Sequence, residues 1–219
     1  MNIQQRRIET IVCGQSNAYL LHGDNASILI DTGTAQYKEK VLQCCQNANV
    51  RLIVLTHGHF DHCQNAAYLA KRLHCPVGIG KEDVPLLEKR LKRQVFGKGI
   101  WGRFYAWASN RNIHTKEIEA MTPDIILEEG LPLAKYGIDG KIIRLPGHTE
   151  GSIGVRLSTG ELFVGDAMQN LLFPAAAWCY EDAKQTEESV VRICSTGASG
   201  LYFGHGKARA GGEMKCTEF

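Results

Sequence analysis

Residues 55–65 read LTHGHFDHCQN, which places His57, His59, Asp61 and His62 within six positions. They follow RLIVLT, residues 51–56, an apolar run whose branched side chains predict a buried strand. Gly58 predicts a sharp turn between the first two histidines, and residues 65–73 predict a helix. A strand that passes through a tight loop into a helix holds polar side chains at its C-terminal end on a rigid support. His57 and His59, two apart, can reach one cation together. Asp61 and His62, at the helix start, point differently and suit a second. Imidazole nitrogen and carboxylate oxygen suit zinc, iron or manganese without any thiolate. Four such groups in six residues are more than a polar loop gathers by chance.

Outward from this stretch, ASILID (26–31) predicts a second buried strand, closed by an Asp-Thr-Gly turn. Residues 35–48 have helical spacing, 76–80 read as a short strand, and 82–93 as a charged helix with Val84, Leu87 and Leu91 on its inner face. Beyond a less regular middle come strands at 142–145, 154–157, 161–165 and 201–204, with a helix near 185–194. Strands and helices alternate at both ends, which predicts an α/β protein. There is a weak internal echo: ILIDTG, helix, LIVLTHGH in the first half, and LFVGDA, helix, LYFGHG in the second. Two such units packed as a sandwich would bring both sets of strand ends to one edge.

Three further positions share this setting of an apolar strand end beside glycine: His148 in RLPGHTEGS, Asp166 in LFVGDA and His205 in LYFGHGKA. Each alone is a weak signal, but with the first four they make a set of seven. His22, His74 and His114 lack the setting and are given no role.

Composition bounds the class. The chain has 219 residues, 44% apolar and 22% charged, with a net charge of +2, as in an ordinary globular protein. No run of 18 apolar residues predicts a membrane span. The N-terminal segment MNIQQRRIETIVCG has no long apolar core, so a cytoplasmic location is expected. None of the eight cysteines forms a CxxC pair, and reduced thiols are expected.

At THGHFDH, PGHT, GDA and GHG, taken in that order, the chain resembles the metallo-β-lactamase superfamily of hydrolases, and the resemblance spans about residues 17–206. It implies a four-layer αβ/βα sandwich with a dinuclear metal site at one edge, glyoxalase-II-like or lactonase-like, built as a single domain over 1–219. It implies that His57, His59 and His148 hold one metal, that Asp61, His62 and His205 hold the other, and that Asp166 bridges them. Asp31 would orient a ligand histidine from behind. Two divalent ions are expected, zinc first, with iron or manganese as alternatives. The implied chemistry is hydrolysis of a small ester, thioester or lactone by a metal-bridging hydroxide, with Asp61 and Asp166 as the catalytic carboxylates. The alternatives are a phosphodiesterase or nuclease on the same scaffold, and a persulfide-dioxygenase-like enzyme with one iron. Where many members follow the Asp-His pair with a small residue and two glycines, this chain has Cys63-Gln64-Asn65, which predicts a bulkier helix start.

The most individual part is residues 81–116, within an expected helical insertion at about 81–120. It carries nine Lys or Arg against three Asp or Glu, a net +6, and concentrates Phe96, Trp101, Phe104, Tyr105 and Trp107. As a cover on the site it predicts a small substrate, anionic with an apolar part, touched by Trp101 and Trp107. As a charged, aromatic surface it equally predicts core or a homodimer contact. Nucleic acid is not expected as a partner.

Overall fold

The computed structural model describes residues 8–210. The strands are β1 (Ile8–Cys13), β2 (Ser16–His22), β3 (Ser27–Ile30), β4 (Val50–Val54), β5 (Val77–Ile79), β6 (Ile125–Ile126), β7 (Gly140–Arg144), β8 (Ile153–Leu157), β9 (Glu161–Gly165), β10 (Met168–Asn170), β11 (Pro174–Ala176), β12 (Gly200–Phe203) and β13 (Arg209–Ala210). The helices are α1 (Lys38–Cys45), α2 (Phe60–Cys63), α3 (Ala66–Leu73), α4 (Val84–Glu88), α5 (Gly99–Thr115) and α6 (Ala183–Ser195). One sheet runs in the order β1-β2-β3-β4-β5-β6, a second β13-β12-β9-β8-β7, and β10 pairs only with β11.

Alternation along the strands builds the layers. Leu20, Leu29, Ile53 and Leu55 pack in one cluster with Val41 and Leu42 of α1 and Ala66 and Leu69 of α3. Their neighbours Tyr19, Leu21, Ile28, Ile30, Leu52 and Val54 turn to the other face, where they meet Ile142, Val155 and Phe163 of the second sheet. The second sheet's outer face, with Ile143, Leu162, Val164, Leu201 and Phe203, packs on Val190 and Ile193 of α6. The result is the expected helix–sheet–sheet–helix sandwich. Strands buried on both faces read as unbroken apolar runs, which is why 26–31 and 51–56 stood out in the sequence.

The internal echo corresponds to two parallel strand pairs, β3 with β4 and β9 with β12. A chain segment containing α1 joins the first pair and one containing α6 joins the second. The expected helix over 82–93 is shorter. After a 3-10 turn, α4 stops at Glu88, and Arg90 takes a left-handed φ of 51°. The chain reverses there, which brings Arg93 back to Asp83 and leaves Leu91 exposed rather than inward. The longest helix, α5, lies within the helical insertion expected at about 81–120, although the sequence marked no bounds for it there. Its buried residues are Gly102 and Ala106, while Trp101, Phe104 and Trp107 are exposed, so no apolar stripe announces it. Six of the described cysteines are free thiols, as expected; Cys194 is disulfide-bonded. No helix among the described residues is long and apolar enough to cross a membrane.

Phe163 is fully buried between the sheets, stacked on Tyr202 with ring centroids 4.5 Å apart. Phe163→Ala should lower unfolding stability by about 3–5 kcal/mol, as read by urea denaturation. A loss under about 1 kcal/mol would show that the inter-sheet core is not packed this way.

Candidate metal centre

Every chemistry-bearing side chain singled out in the sequence leaves a strand end on one edge of the sandwich. Asp31 follows β3, His57 and His59 follow β4, Asp166 follows β9, His205 follows β12, and His148 sits in the loop from β7 to β8. The C-terminal ends of parallel strands are where loops are free to carry function in α/β folds. α2 begins at Phe60 with His59 as its N-cap, and so presents Asp61 and His62 within one turn of the loop.

These side chains converge in three overlapping groups: His57, His59 and His148; His57, His62 and Asp166; and Asp61, His62 and His205. Within each group the ligand atoms lie within 4.8 Å of one another. His148 Nε2 is 2.9 Å from His59 Nδ1, and His62 Nε2 is 3.4 Å from His205 Nε2. Asp166 stands between the two histidine sets. Its Oδ1 is 3.5 Å from His62 Nε2, and its Oδ2 is 3.1 Å from His205 Nε2 and 3.6 Å from His148 Nε2. Gly204 makes room for it, since a Cβ there would lie 1.9 Å from Asp166 Oδ1. His22, His74 and His114 join none of these groups.

The far side of four of the five rings is fixed. His62 Nδ1 meets Asp31 Oδ2 at 2.8 Å, and His57 Nδ1 meets Thr56 Oγ1 at 3.0 Å. His148 Nδ1 meets the Cys179 carbonyl at 2.7 Å, and His205 Nδ1 the Gln15 carbonyl at 2.8 Å. Such contacts set the tautomer and aim the other nitrogen inward, as around a bound metal. Two inward atoms, His57 Nε2 and Asp166 Oδ1, are buried with no hydrogen-bond partner. A buried acceptor without a donor is costly, and a divalent cation between these atoms would satisfy both. The donor set, imidazole nitrogen and carboxylate oxygen, fits a metal site.

Electrostatics divide the rings. Burial, then neighbouring imidazoles, hold His57 well below the ordinary histidine range, and burial leads the same way at His59 and His148, so their lone pairs are free. Burial opposes protonation at His62 and His205 as well, but Asp166 and Asp61 outweigh it, and His205 is raised to about 9. Burial likewise opposes ionisation of Asp166, yet His205 and His62 hold it well below the usual carboxylate range. Without a metal, the carboxylates draw protons onto the rings that a cation would displace. Cys63, next to His62, is buried, and burial pushes its thiol well up, so it is a packing residue and not a nucleophile.

A cavity of about 390 Å³ opens over the cluster. Its wall includes Tyr105, Asn112 and Ile113 of α5, together with Leu171 and Trp178. Trp101 and Trp107, the expected substrate contacts, are 73% and 59% exposed and do not line it; Tyr105 does, packed edge-on against Trp178. Nor do Gln64 and Asn65 crowd the cavity. Asn65 Nδ2 donates to the Thr32 and Thr34 carbonyls, and Gln64 joins Ala35 N to the Glu117 carbonyl. Sequence reasoning passed over Gln15, Thr56, Asn112 and Trp178, whose roles depend on contacts across the chain. Thr56 alone carried a signal, standing between a strand and the first histidine.

Residues 11–199 match the model of the metallo-beta-lactamase superfamily. A probable metallo-hydrolase of Methanocaldococcus jannaschii is 32% identical over 158 residues, 70% of this chain and 67% of its own. A hydroxyacylglutathione hydrolase of Haemophilus influenzae is 29% identical over 174 residues, 77% of this chain and 72% of its own. A solved structure in a di-iron-bound form superposes with a TM-score of 0.69 at 27% identity, covering 93% of each chain. With its metal-ready cluster at the sheet edge and a family match over most of its length, the chain belongs to the metallo-beta-lactamase superfamily and is a metal-dependent hydrolase.

Proposed function

We propose that the chain hydrolyses a compact ester, thioester or lactone at a site for two divalent metals. The observation that carries this reading is the convergence of seven nitrogen and oxygen ligands, two of them buried without partners. His57, His59 and His148 would hold one ion, Asp61, His62 and His205 the other, with Asp166 shared. Seven ligands exceed what one tetrahedral ion needs. Zinc suits the donors, and so does iron, the metal in the di-iron neighbour. Metal bound here supplies a water acidic enough to ionise near neutral pH and a Lewis acid for the substrate oxygen.

The chain's own residues do the rest. Asp166 keeps a negative charge between two positive positions and limits their repulsion. Asp61, partly exposed and 3.5 Å from His205 Nε2, is placed to pass a proton to the departing group. Tyr105 and Trp178 offer apolar surface to the acyl or leaving part. The relative named for hydroxyacylglutathione hydrolysis puts thioesters first among the esters to try.

The expected pull on an anionic substrate finds no support in the cavity lining, which holds no Lys or Arg among the described residues. Four of the basic segment's nine Lys or Arg residues are paired elsewhere: Arg93 with Asp83, Arg90 and Lys92 with Glu117, and Lys98 with Glu187. Residues 81–120 act in this reading as a cover built into a single hydrolase domain, with α5 as its working face.

Elemental analysis of protein purified without chelator should find one to two equivalents of zinc or iron, and chelation should abolish thioester and lactone turnover. Full activity in metal-free protein overturns the proposal. One iron with oxygen uptake on a persulfide, or turnover of a phosphodiester alone, would assign a different reaction to the same site.

Asp166→Ala should cut metal content toward one equivalent and lower kcat by several orders of magnitude while far-ultraviolet circular dichroism stays unchanged. Near-normal turnover and metal content would remove Asp166 from the bridging role.

Tyr105→Ala should raise KM for the best substrate by roughly fivefold, the loss of about 1 kcal/mol of aromatic contact. Trp107→Ala should leave KM unchanged. The reverse pattern would show that α5 meets substrate with its outer face.

A further inference from the structure

Behind the three-histidine position lies a second charged device that the ligand set does not include. Asp83, at the end of the 3-10 turn Lys81–Asp83, is completely buried. Its Oδ2 accepts from Gly58 N at 2.9 Å and from Thr149 Oγ1 at 2.7 Å. Its Oδ1 accepts from Gly151 N at 3.0 Å and from Arg93 Nη2. Gly58 is the residue between His57 and His59, and Thr149 follows His148. One carboxylate therefore grips both loops that carry the first group of histidines. The fit is close: a Cβ on Gly151 would lie 2.7 Å from Asp83 Oδ1.

Arg93 closes the arrangement from outside. Besides Asp83 it reaches Glu181 Oε1 at 3.1 Å and Glu150 Oε2 at 3.6 Å. Glu181 N in turn donates to the His148 carbonyl at 3.1 Å. Asp83 and Arg93 both belong to the basic segment, so the cover over the site and the loops beneath it share one ion pair between a buried carboxylate and a half-buried guanidinium. Asp31 does the corresponding work for the other position, bonding His62 Nδ1 and Thr56.

We propose that Asp83 is a positioning residue that, with Arg93, sets the spacing of His57, His59 and His148 and so the metal affinity of that position. This rests on the two-metal reading above. The chemistry requires a carboxylate. Asp83 receives four donors on two oxygens, whereas an amide has one acceptor oxygen and turns N–H groups toward the remaining donors. It also leaves the Arg93 guanidinium without its buried counter-charge. Outer partners of metal ligands commonly change affinity by about 10- to 100-fold.

The test isolates the two positions. In a His205→Ala background the three-histidine position is titrated alone, with cobalt(II) followed by its visible spectrum and zinc followed by chelator competition. Adding Asp83→Asn should weaken that binding by about 10- to 100-fold and alter the cobalt bands. In a His59→Ala background, the Asp61–His62–His205 position should keep its affinity when Asp83→Asn is added. Val190→Ala, remote in α6, should lower the melting temperature and leave metal affinity alone, which separates positioning from general destabilisation. Arg93→Gln, a milder change, should shift affinity in the same direction and serves if Asp83→Asn does not fold. Unchanged affinity in the Asp83 and Arg93 variants, or an equal loss in Val190→Ala, overturns the proposal. Single-site backgrounds that take up no metal at all overturn the two-metal reading itself.

Discussion

A carboxylate buried almost beyond reach of solvent, Asp31, organises the edge on which everything else is mounted. A buried charge must be hydrogen-bonded on its oxygens or it destabilises the fold. Asp31 leaves β3 with a left-handed φ of 59° and accepts from Thr56 N at 2.8 Å, from Thr56 Oγ1, and from His62 Nδ1. It thereby ties the exit of β4 to the start of α2 and fixes the loop between them. The Thr56 carbonyl then accepts from Ile153 N of β8, in the other sheet, at 2.9 Å. A second seam runs alongside, where Tyr19 Oη and Asn17 Nδ2 of the first sheet donate to the Phe203 carbonyl of the second. The cluster sits where the two sheets are hydrogen-bonded to each other, so its geometry inherits the rigidity of both.

That rigidity holds an unfavourable arrangement in place. Five imidazoles and two carboxylates share one edge; His57 Nε2 is buried with no hydrogen-bond partner, and Asp166 Oδ1 has only the 3.5 Å approach of His62 Nε2. Each unmet group costs about 1–3 kcal/mol. The three apolar clusters bear this cost, and a bound cation would remove it and stabilise the folded state further. Strain of this sort belongs at functional sites, where the surrounding packing over-determines the conformation.

Periodicity and spacing made the sandwich and the edge legible. The cores of the apolar runs, residues 28–30, 52–55, 162–164 and 201–203, pack on both faces with only Tyr202 half-buried, so burial alone made them apolar. The seven clustered positions were legible because each is a ligand-type residue at the end of such a run. Asp83 was not, since it sits among charged residues in a segment that reads as a solvated face, and its four donors come from positions 10 to 68 residues distant. β1 and β2 were passed over as well, although Ile11, Ala18 and Leu20 pack into the first cluster.

α5 shows why the cover escaped a reading by pattern. The usual rule places large apolar side chains inward, and α5 inverts it. Gly102 and Ala106 are buried, and a Cβ on Gly102 would lie 3.1 Å from the Trp178 carbonyl, so small residues set how near the helix approaches the 171–179 segment. Close approach is what lets Tyr105 reach Trp178, with ring centroids 4.5 Å apart, and face the cavity one turn before Ser109 and two turns before Asn112. Trp101, Phe104 and Trp107, which drew notice in the sequence along with Tyr105, are exposed and do not border the cavity. For a helix that covers a site, the informative residues are therefore the small ones, because they locate the face that turns toward the protein and with it the side chains that border the cavity.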